Sequence, residues 1–266
     1  MIDSRSSIPG PFSPVRAGTV ESHRRAVERV IDAMHRRKDQ NFSLEEMADI
    51  AFMSPYHFNR TFRQLTGIPP CQFMSALRLE SAKRLLLTTE LSVTDVCFEG
   101  GYNSLGTFIR RFTDLLGASP RALRRLARIP FRVPAETRRP ETGIRGRVSG
   151  PAEFEGTIFV GLFSSTIPQG QPTACAVRSA KGEFQLSPVA DGSYHLYAIG
   201  VTNDQRDPAG YFLYESALRG GGQVVRIREG RAQEDVDVEL RPARPIDPPI
   251  LMTPAWARIN GACQEH

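Results

Sequence analysis

No apolar run in this 266-residue chain approaches the roughly 18–20 residues that a membrane-spanning helix requires, which excludes an integral membrane protein. Cysteine is scarce. Cys71, Cys97, Cys175 and Cys263 stand far apart, with no Cys-x-x-Cys pair and no histidine at ligand spacing. That pattern argues against a zinc site or a disulfide framework, calls for no cofactor, and suits a reducing cytoplasm. The opening MIDSRSSIPGPF has no apolar core behind a basic end, so it is not a secretory signal. What is present is ordinary globular composition, 40% hydrophobic and 24% charged, on a length that fits one large domain or two of typical size.

Charge is distributed unevenly. Residues 21–130 hold 17 Lys/Arg against 12 Asp/Glu, whereas residues 143–266 hold 12 against 14. Arginines cluster late in the basic half, as in Arg121, Arg124, Arg125 and Arg128. A basic half joined to an acidic half suggests that only the first meets a polyanion.

Composition divides the chain into five stretches. Residues 1–18 carry three prolines and no periodic pattern, which reads as a disordered tail. Residues 19–128 read as helices, beginning with one over His23–Arg37. Residues 129–142 hold three more prolines and read as a Pro/Arg linker. Residues 143–242 change to short alternating strands bounded by glycines, and residues 243–266 read as a proline-rich tail. The expected architecture is a multidomain α + β chain, an all-α domain followed by an all-β sandwich.

The helical half contains an internal repeat. SLEEMADIAFMSPYHFNRTFRQLTGIPP (43–70) aligns with SVTDVCFEGGYNSLGTFIRRFTDLLGASP (92–120) once the second copy is allowed one extra residue. Ser43 matches Ser92, Ala48 matches Cys97, Phe58 matches Phe108, Phe62 matches Phe112, Gly67 matches Gly117 and Pro70 matches Pro120. In each copy a serine caps a short helix whose apolar residues recur at i, i+3 and i+4. After a tight turn a second serine, Ser54 or Ser104, caps a helix with a Phe-x-x-x-Phe-x-x-Leu stripe that stops at glycine. Two short helices joined by such a turn make a helix-turn-helix. The spacer from Pro70 to Thr88 is itself a strong helix, so one rigid rod joins two such units.

At these residues the sequence resembles the DNA-binding domain of the AraC/XylS family of bacterial transcription regulators. The resemblance covers about 90 residues, including the linker-helix segment ALRLESAKRLLLTT. It implies a domain of about seven helices with two helix-turn-helix units, bound to double-stranded DNA, with RNA polymerase as a partner and a nucleoid-associated, cytoplasmic location. Two residues depart from the family pattern: Cys97 stands where alanine is usual and Phe52 where glycine is common. The sensing domain, often placed ahead of the DNA-binding one in the family, here follows it.

A helical wheel at about 100° per residue separates core from groove in each second helix. Phe58, Phe62 and Leu65 share one side, with Tyr56, Asn59, Arg60 and Arg63 opposite. Arginine can bond a guanine edge bidentately, asparagine an adenine edge, and tyrosine can stack or reach phosphate. In the second unit Phe108, Phe112 and Leu115 are core, leaving Asn103, Gly106, Ile109 and Arg110 opposite and Thr107 at the flank. The expected base contacts are Tyr56, Asn59, Arg60, Thr107, Ile109 and Arg110. The expected phosphate contacts are Ser54, Arg63, Asn103, Ser104 and Arg111, the two serines being helix caps first. His57 flanks the core stripe and is expected to be packed.

In the carboxyl-terminal half, strands are expected at Gly143–Val148, Thr157–Phe163, Ala174–Ser179, Glu183–Leu186, Tyr194–Val201, Gln223–Arg228 and Val236–Leu240. Lys181-Gly182, Asp191-Gly192 and Gly220-Gly221-Gly222 fit hairpin turns. The run KGEFQLSPVADGSYHLYAIGV resembles the carboxypeptidase-regulatory-like, or transthyretin-like, sandwich, which implies a fold and not an activity. No catalytic set is evident. Segment 202–219 is long for a hairpin connection and holds Tyr211, Phe212 and Tyr214, candidates for a small-molecule effector site or aromatic caps of the sandwich.

Three functions compete. A transcription regulator with a sensing or assembly sandwich leads. A DNA-binding module whose sandwich is structural or protein-binding is the alternative. A DNA-repair alkyltransferase is disfavoured, since no cysteine stands in an activating motif such as Pro-Cys-His-Arg.

Overall fold

The structure, a computed structural model, describes residues 17–38, 40, 42–129, 143–202, 210–214, 216–233 and 236–253. Seven helices fill the first half: α1 (Ala17–Arg36), α2 (Leu44–Ala51), α3 (Pro55–Thr66), α4 (Pro70–Thr88), α5 (Val93–Glu99), α6 (Leu105–Leu116) and α7 (Pro120–Ala127). The first of these begins at Ala17 rather than at His23. Most of the expected amino-terminal tail and linker lies outside the described residues.

The duplication holds at the level of single hydrogen bonds. Ser43 and Ser92 each close a capping box: the serine oxygen accepts the N–H of Glu46 or Asp95, and that carboxylate accepts the serine N–H in return. Gly67 and Gly117 end α3 and α6 in the left-handed conformation, with φ of 84° and 77°. The turn from α2 to α3 passes through Phe52 at φ 56°, and the turn from α5 to α6 through Gly101 at φ 74°. The next residues, Met53 and Tyr102, donate their N–H groups to Ala48 O and Cys97 O, at 3.0 and 3.1 Å. Asn103 is therefore the extra residue of the second copy. Phe58, Phe62, Phe108 and Phe112 are fully buried, each pair meeting edge-to-face, and Phe62 does the same with Phe73 of α4. Cys97 is buried and acts as a small apolar residue.

The second half forms two sheets. Strands β1 (Ile144–Ser149), β4 (Gly182–Leu186) and β8 (Val238–Glu239) make one, in the order β4-β1-β8. Strands β2 (Gly156–Phe163), β3 (Ala174–Arg178), β5 (Gly192–Thr202), β6 (Leu218–Arg228) and β7 (Arg231–Ala232) make the other, in the order β3-β2-β5-β6-β7. The strands fall close to where alternation puts them, but two expected hairpins are crossovers. Lys181-Gly182 leads from β3 into β4, and Asp191-Gly192 from β4 into β5, and in both cases the strands belong to different sheets. Glycine breaks a ladder without deciding which edge the chain rejoins. Gly220–Gly222 is not a turn; it lies inside β6, where the register with β5 slips between His195 and Tyr197. A two-residue hairpin turn does occur at Glu229-Gly230, both at positive φ (51° and 69°), joining β6 to β7.

Every residue of β2 is buried. Ile158, Val160 and Leu162 belong to the core between the two sheets, while Phe159 and Phe163 belong to the core shared with the helices. The larger sheet is thus a middle layer, with the smaller sheet on one face and the helical half on the other. A short helix, α8 (Gly210–Leu213), packs against α4. Phe212 and Tyr214 are fully buried in the shared core, so they seal the junction instead of lining an effector site; the side chain of Tyr211 lies outside the described residues.

The carboxyl-terminal stretch also departs from expectation. Residues 243–253 are not a free tail, because Ile250, Leu251 and Met252 are buried in the shared core. Thr253 Oγ1 donates to Leu116 O at 2.9 Å, and Lys83 Nζ donates to Ile250 O at 3.3 Å. Proline removes ladder donors but does not prevent an extended segment from burying its apolar side chains. Cys175 is disulfide-bonded, contrary to the expectation of free thiols, while Cys71 and Cys97 are free.

Candidate nucleic-acid interface

The expected reading face of the first unit is built on α3. Ser54 caps it, its hydroxyl oxygen accepting His57 N–H at 3.4 Å, and Pro55 occupies the first turn, where no amide donor is needed. Phe58, Thr61, Phe62 and Thr66 point into the core. Tyr56 (80% exposed), Asn59, Arg60 and Arg63 lie on the open side, as the wheel requires. The exposed Gln64, which the helical periodicity does not single out, also belongs to this helix. His57 departs from expectation: it is exposed, with its ring edge-on to His23 of α1 at 5.3 Å.

In the second unit α6 repeats the design. Ser104 Oγ accepts Thr107 N–H at 3.4 Å, and Asn103, Thr107, Ile109 and Arg110 are exposed. A methyl group on Gly106 would meet nothing within 4 Å, so backbone there is open to close approach. Arg111 is exposed as well, but it borders a cleft with Gln72, Asp114 and Ile167 towards the sheet half.

What distinguishes these arginines from others in the same half is their lack of partners. Arg78 donates to Lys38 O at 2.8 Å, Arg124 to Leu91 O at 2.7 Å, and Arg24 pairs with Glu21 and Glu28. Those guanidiniums are engaged within the chain. Arg60, Arg63 and Arg110 have no hydrogen bond or ion pair among the described residues. No acidic residue occurs in α3, and α6 contains only Asp114. Two exposed helix faces of net positive charge, each rigidly backed by a phenylalanine stripe, suit a polyanion with hydrogen-bonding edges.

Among the described residues no group of His, Cys, Asp and Glu is placed to hold a metal ion, and no helix is long and apolar enough to cross a membrane. Burial raises the pKa of the Cys97 thiol above its ordinary value.

Residues 47–126 match a helix-turn-helix domain family. The bifunctional transcriptional activator/DNA repair enzyme AdaA of Bacillus subtilis is 30% identical over 103 residues, 37% of this chain and 49% of that protein. The XylDLEGF operon transcriptional activator 2 of Pseudomonas putida is 31% identical over 108 residues, 40% of this chain and 68% of that protein. The DNA-binding domain of AdpA, solved in complex with a target DNA, is 34% identical, with 39% of this chain and 93% of that chain covered and a TM-score of 0.37. The chain thus spans about half the length of the Bacillus relative. Its duplicated helix-turn-helix, the matching domain family and the extent of the Pseudomonas match together identify the chain as a member of the AraC family of DNA-binding transcription regulators.

Proposed function

We propose that this protein regulates transcription by reading two successive major-groove segments on one face of a duplex, one recognition helix in each, about 34 Å apart. The observation that carries this reading is the pair of equivalent exposed faces on α3 and α6, on which Arg60, Arg63 and Arg110 form no hydrogen bond or ion pair among the described residues. Tyr56, Asn59 and Arg60 contact bases from the first helix, and Thr107, Ile109 and Arg110 from the second. Arg63, Asn103 and, from the flank, Arg111 contact phosphates, with the capping Ser54 and Ser104 at the helix starts. RNA polymerase is the protein partner that the AraC-type resemblance supports.

The sandwich, of carboxypeptidase-regulatory-like type, serves as the effector-sensing or assembly unit, with the DNA-reading unit within 19–128 and the sandwich within 143–242. Repair chemistry of the kind named for the Bacillus relative is not part of this reading. Cys97 is buried with its pKa raised, and Cys175 is disulfide-bonded, so neither offers an activated thiolate. The deciding measurement is a footprint of the full chain on genomic fragments it retains at low salt. Protection of about two helical turns per monomer is expected, with affinity falling steeply as salt rises. Protection of a single five- or six-base-pair segment overturns the two-helix reading.

A further inference from the structure

A cavity of about 270 Å³ lies where the middle sheet meets the carboxyl-terminal end of α3. One wall is the end of that recognition helix, Thr66 and its cap Gly67; the opposite wall includes His195 and Tyr197 of β5, Arg219 of β6, and Ile250. The wall is left open by the irregularity in β6. Gly221 and Gly222 sit at φ 96° and 94°, and a methyl group on Gly221 would lie 2.2 Å from Leu196 O, so the strand there carries no side chains.

The polar groups of this cavity are not all satisfied. Arg241 is neutralised by two hydrogen bonds to Asp247, both 2.8 Å. The Tyr197 hydroxyl is committed to Thr166 O. Arg219 is different: Nη1 donates to Pro248 O at 2.9 Å, but among the described residues its buried Nε has no acceptor, and the buried Nδ1 of His195 has no partner either. Burial works against the charge on Arg219, and the acids that favour it, Glu80 and Asp247, form no ion pair with it. A half-buried guanidinium whose shielded Nε lacks an acceptor is costly unless an anion completes it. The remaining surroundings are mainly apolar, with Ala198, Ile199 and Pro168 among them beside Thr66 and Thr166.

We propose that this cavity binds a small organic monocarboxylate with an apolar body, its carboxylate on Arg219, and that occupancy changes the affinity for DNA. The volume equals about nine waters at about 30 Å³ each, which suits an acid of similar size. The link to DNA is structural. The ligand touches the cap of α3 on one side and Thr166 and Pro168 on the other, and the same segment continues to Gly170, whose N–H donates to Leu115 O at the end of α6 at 2.6 Å. The carboxyl-terminal end of α6 is therefore held by a residue next to the cavity, and that of α3 forms part of the cavity wall. The binding part of the proposal stands alone, and the coupling part rests on the DNA-reading function above.

The test uses the full chain with hexanoate and cyclohexanecarboxylate as probes, their uncharged amides as shape controls, and inorganic phosphate as an anion without an apolar body. Calorimetry up to about 10 mM probe reaches ligands of millimolar affinity. Two variants accompany it: Arg219→Gln, which removes the guanidinium and leaves a neutral polar side chain, and Thr166→Trp, which fills the cavity mouth from an exposed position. Saturable binding of a carboxylate, absent with its amide and with phosphate and weakened at least tenfold in both variants, is expected. No binding by either carboxylate, or binding that Thr166→Trp leaves unchanged, overturns the site even if Arg219→Gln fails to fold. Coupling is reciprocal, so DNA must shift carboxylate affinity by the factor by which carboxylate shifts DNA affinity. Carboxylate binding with unaltered DNA affinity overturns the coupling and leaves the site. A chain that binds carboxylate but no DNA overturns the function proposed above and the coupling with it, again leaving the site.

Discussion

At the scale of single residues, the exposed arginines divide by what they can touch. Arg60 and Arg110 stand beside residues with base-reading chemistry, whereas Arg63 lies nearer the end of α3. Arg60→Ala is expected to relax base preference at one or two positions, by about 1–3 kcal/mol of discrimination. Arg110→Ala should do the same in the second half-site. Arg63→Ala should weaken all sequences nearly equally and lower the salt dependence by about one counterion. Because none of the three has an intramolecular partner among the described residues, their melting temperatures should match that of the unaltered chain. Competitive binding to base-substituted sites reads the first effect; wild-type base preference in a folded Arg60→Ala would remove that face from the groove. Phe52 poses a different question. It holds the left-handed conformation that Gly101 holds in the second copy, yet it is 88% exposed. A side chain there costs about 1–2 kcal/mol. Phe52→Gly should therefore raise the denaturation midpoint, and an unchanged or lower midpoint would mean that the ring has a stabilising contact of its own.

At the scale of elements, short helices depend on their ends. The helix α2 has eight residues and α5 seven, too short to persist on propensity alone. Their capping boxes satisfy amide donors that would otherwise be orphaned. Ser43 makes the better-formed cap, with both bonds at 3.2 Å or shorter, whereas the Ser54 cap of α3 is stretched to 3.4 Å. Ser43→Ala should cost about 1 kcal/mol and Ser54→Ala less, measured by chemical denaturation. Only Ser54→Ala should also weaken DNA binding if that hydroxyl meets a phosphate. Equal losses of stability would show that bond length at the cap is not what sets its strength.

At the scale of the whole molecule, the helical and sheet halves share one core, and Lys83 sits in it with no exposed surface. Its ammonium lies 4.9 Å from the centre of the Tyr214 ring and donates to Ile250 O. Desolvation pulls its pKa from 10.5 down to about 8, with Glu80 opposing the shift. Between about pH 8 and 10 the unfolded chain therefore binds more protons at this lysine than the folded one, so its contribution makes stability rise with pH across that window. Above about pH 10 the opposite contribution begins, because burial raises the pKa of Tyr197 and Tyr214 and the unfolded tyrosines ionise first. Lys83→Met keeps the length of the side chain and removes the charge. It should be more stable than the unaltered chain at pH 7 and lose the rise between pH 8 and 10. Denaturant midpoints across that range decide it; an identical slope in the methionine variant would place the titrating group elsewhere.

Much of the first half was readable directly because its information is local and written twice. A helix repeats every 3.6 residues, so Phe58, Phe62, Phe108 and Phe112 declared the buried side and Tyr56, Asn59, Arg60 and Arg110 the open one. Serines before and glycines after fixed the ends for the same reason, each acting within one turn. Strand positions were legible from alternation, but their partners were not: nothing local distinguishes a turn that returns to the same sheet from one that crosses to the other, as at Lys181-Gly182. Burial of both faces of β2, the packing of Ile250 to Met252, the enclosure of Lys83 and the unmet Nε of Arg219 depend on residues far apart in the chain. The sequence by itself determined which helix faces stay exposed and what they offer; the tertiary structure alone decided that the sheet half meets the carboxyl-terminal ends of those helices and leaves a cavity there, because burial is set by what the rest of the chain brings alongside.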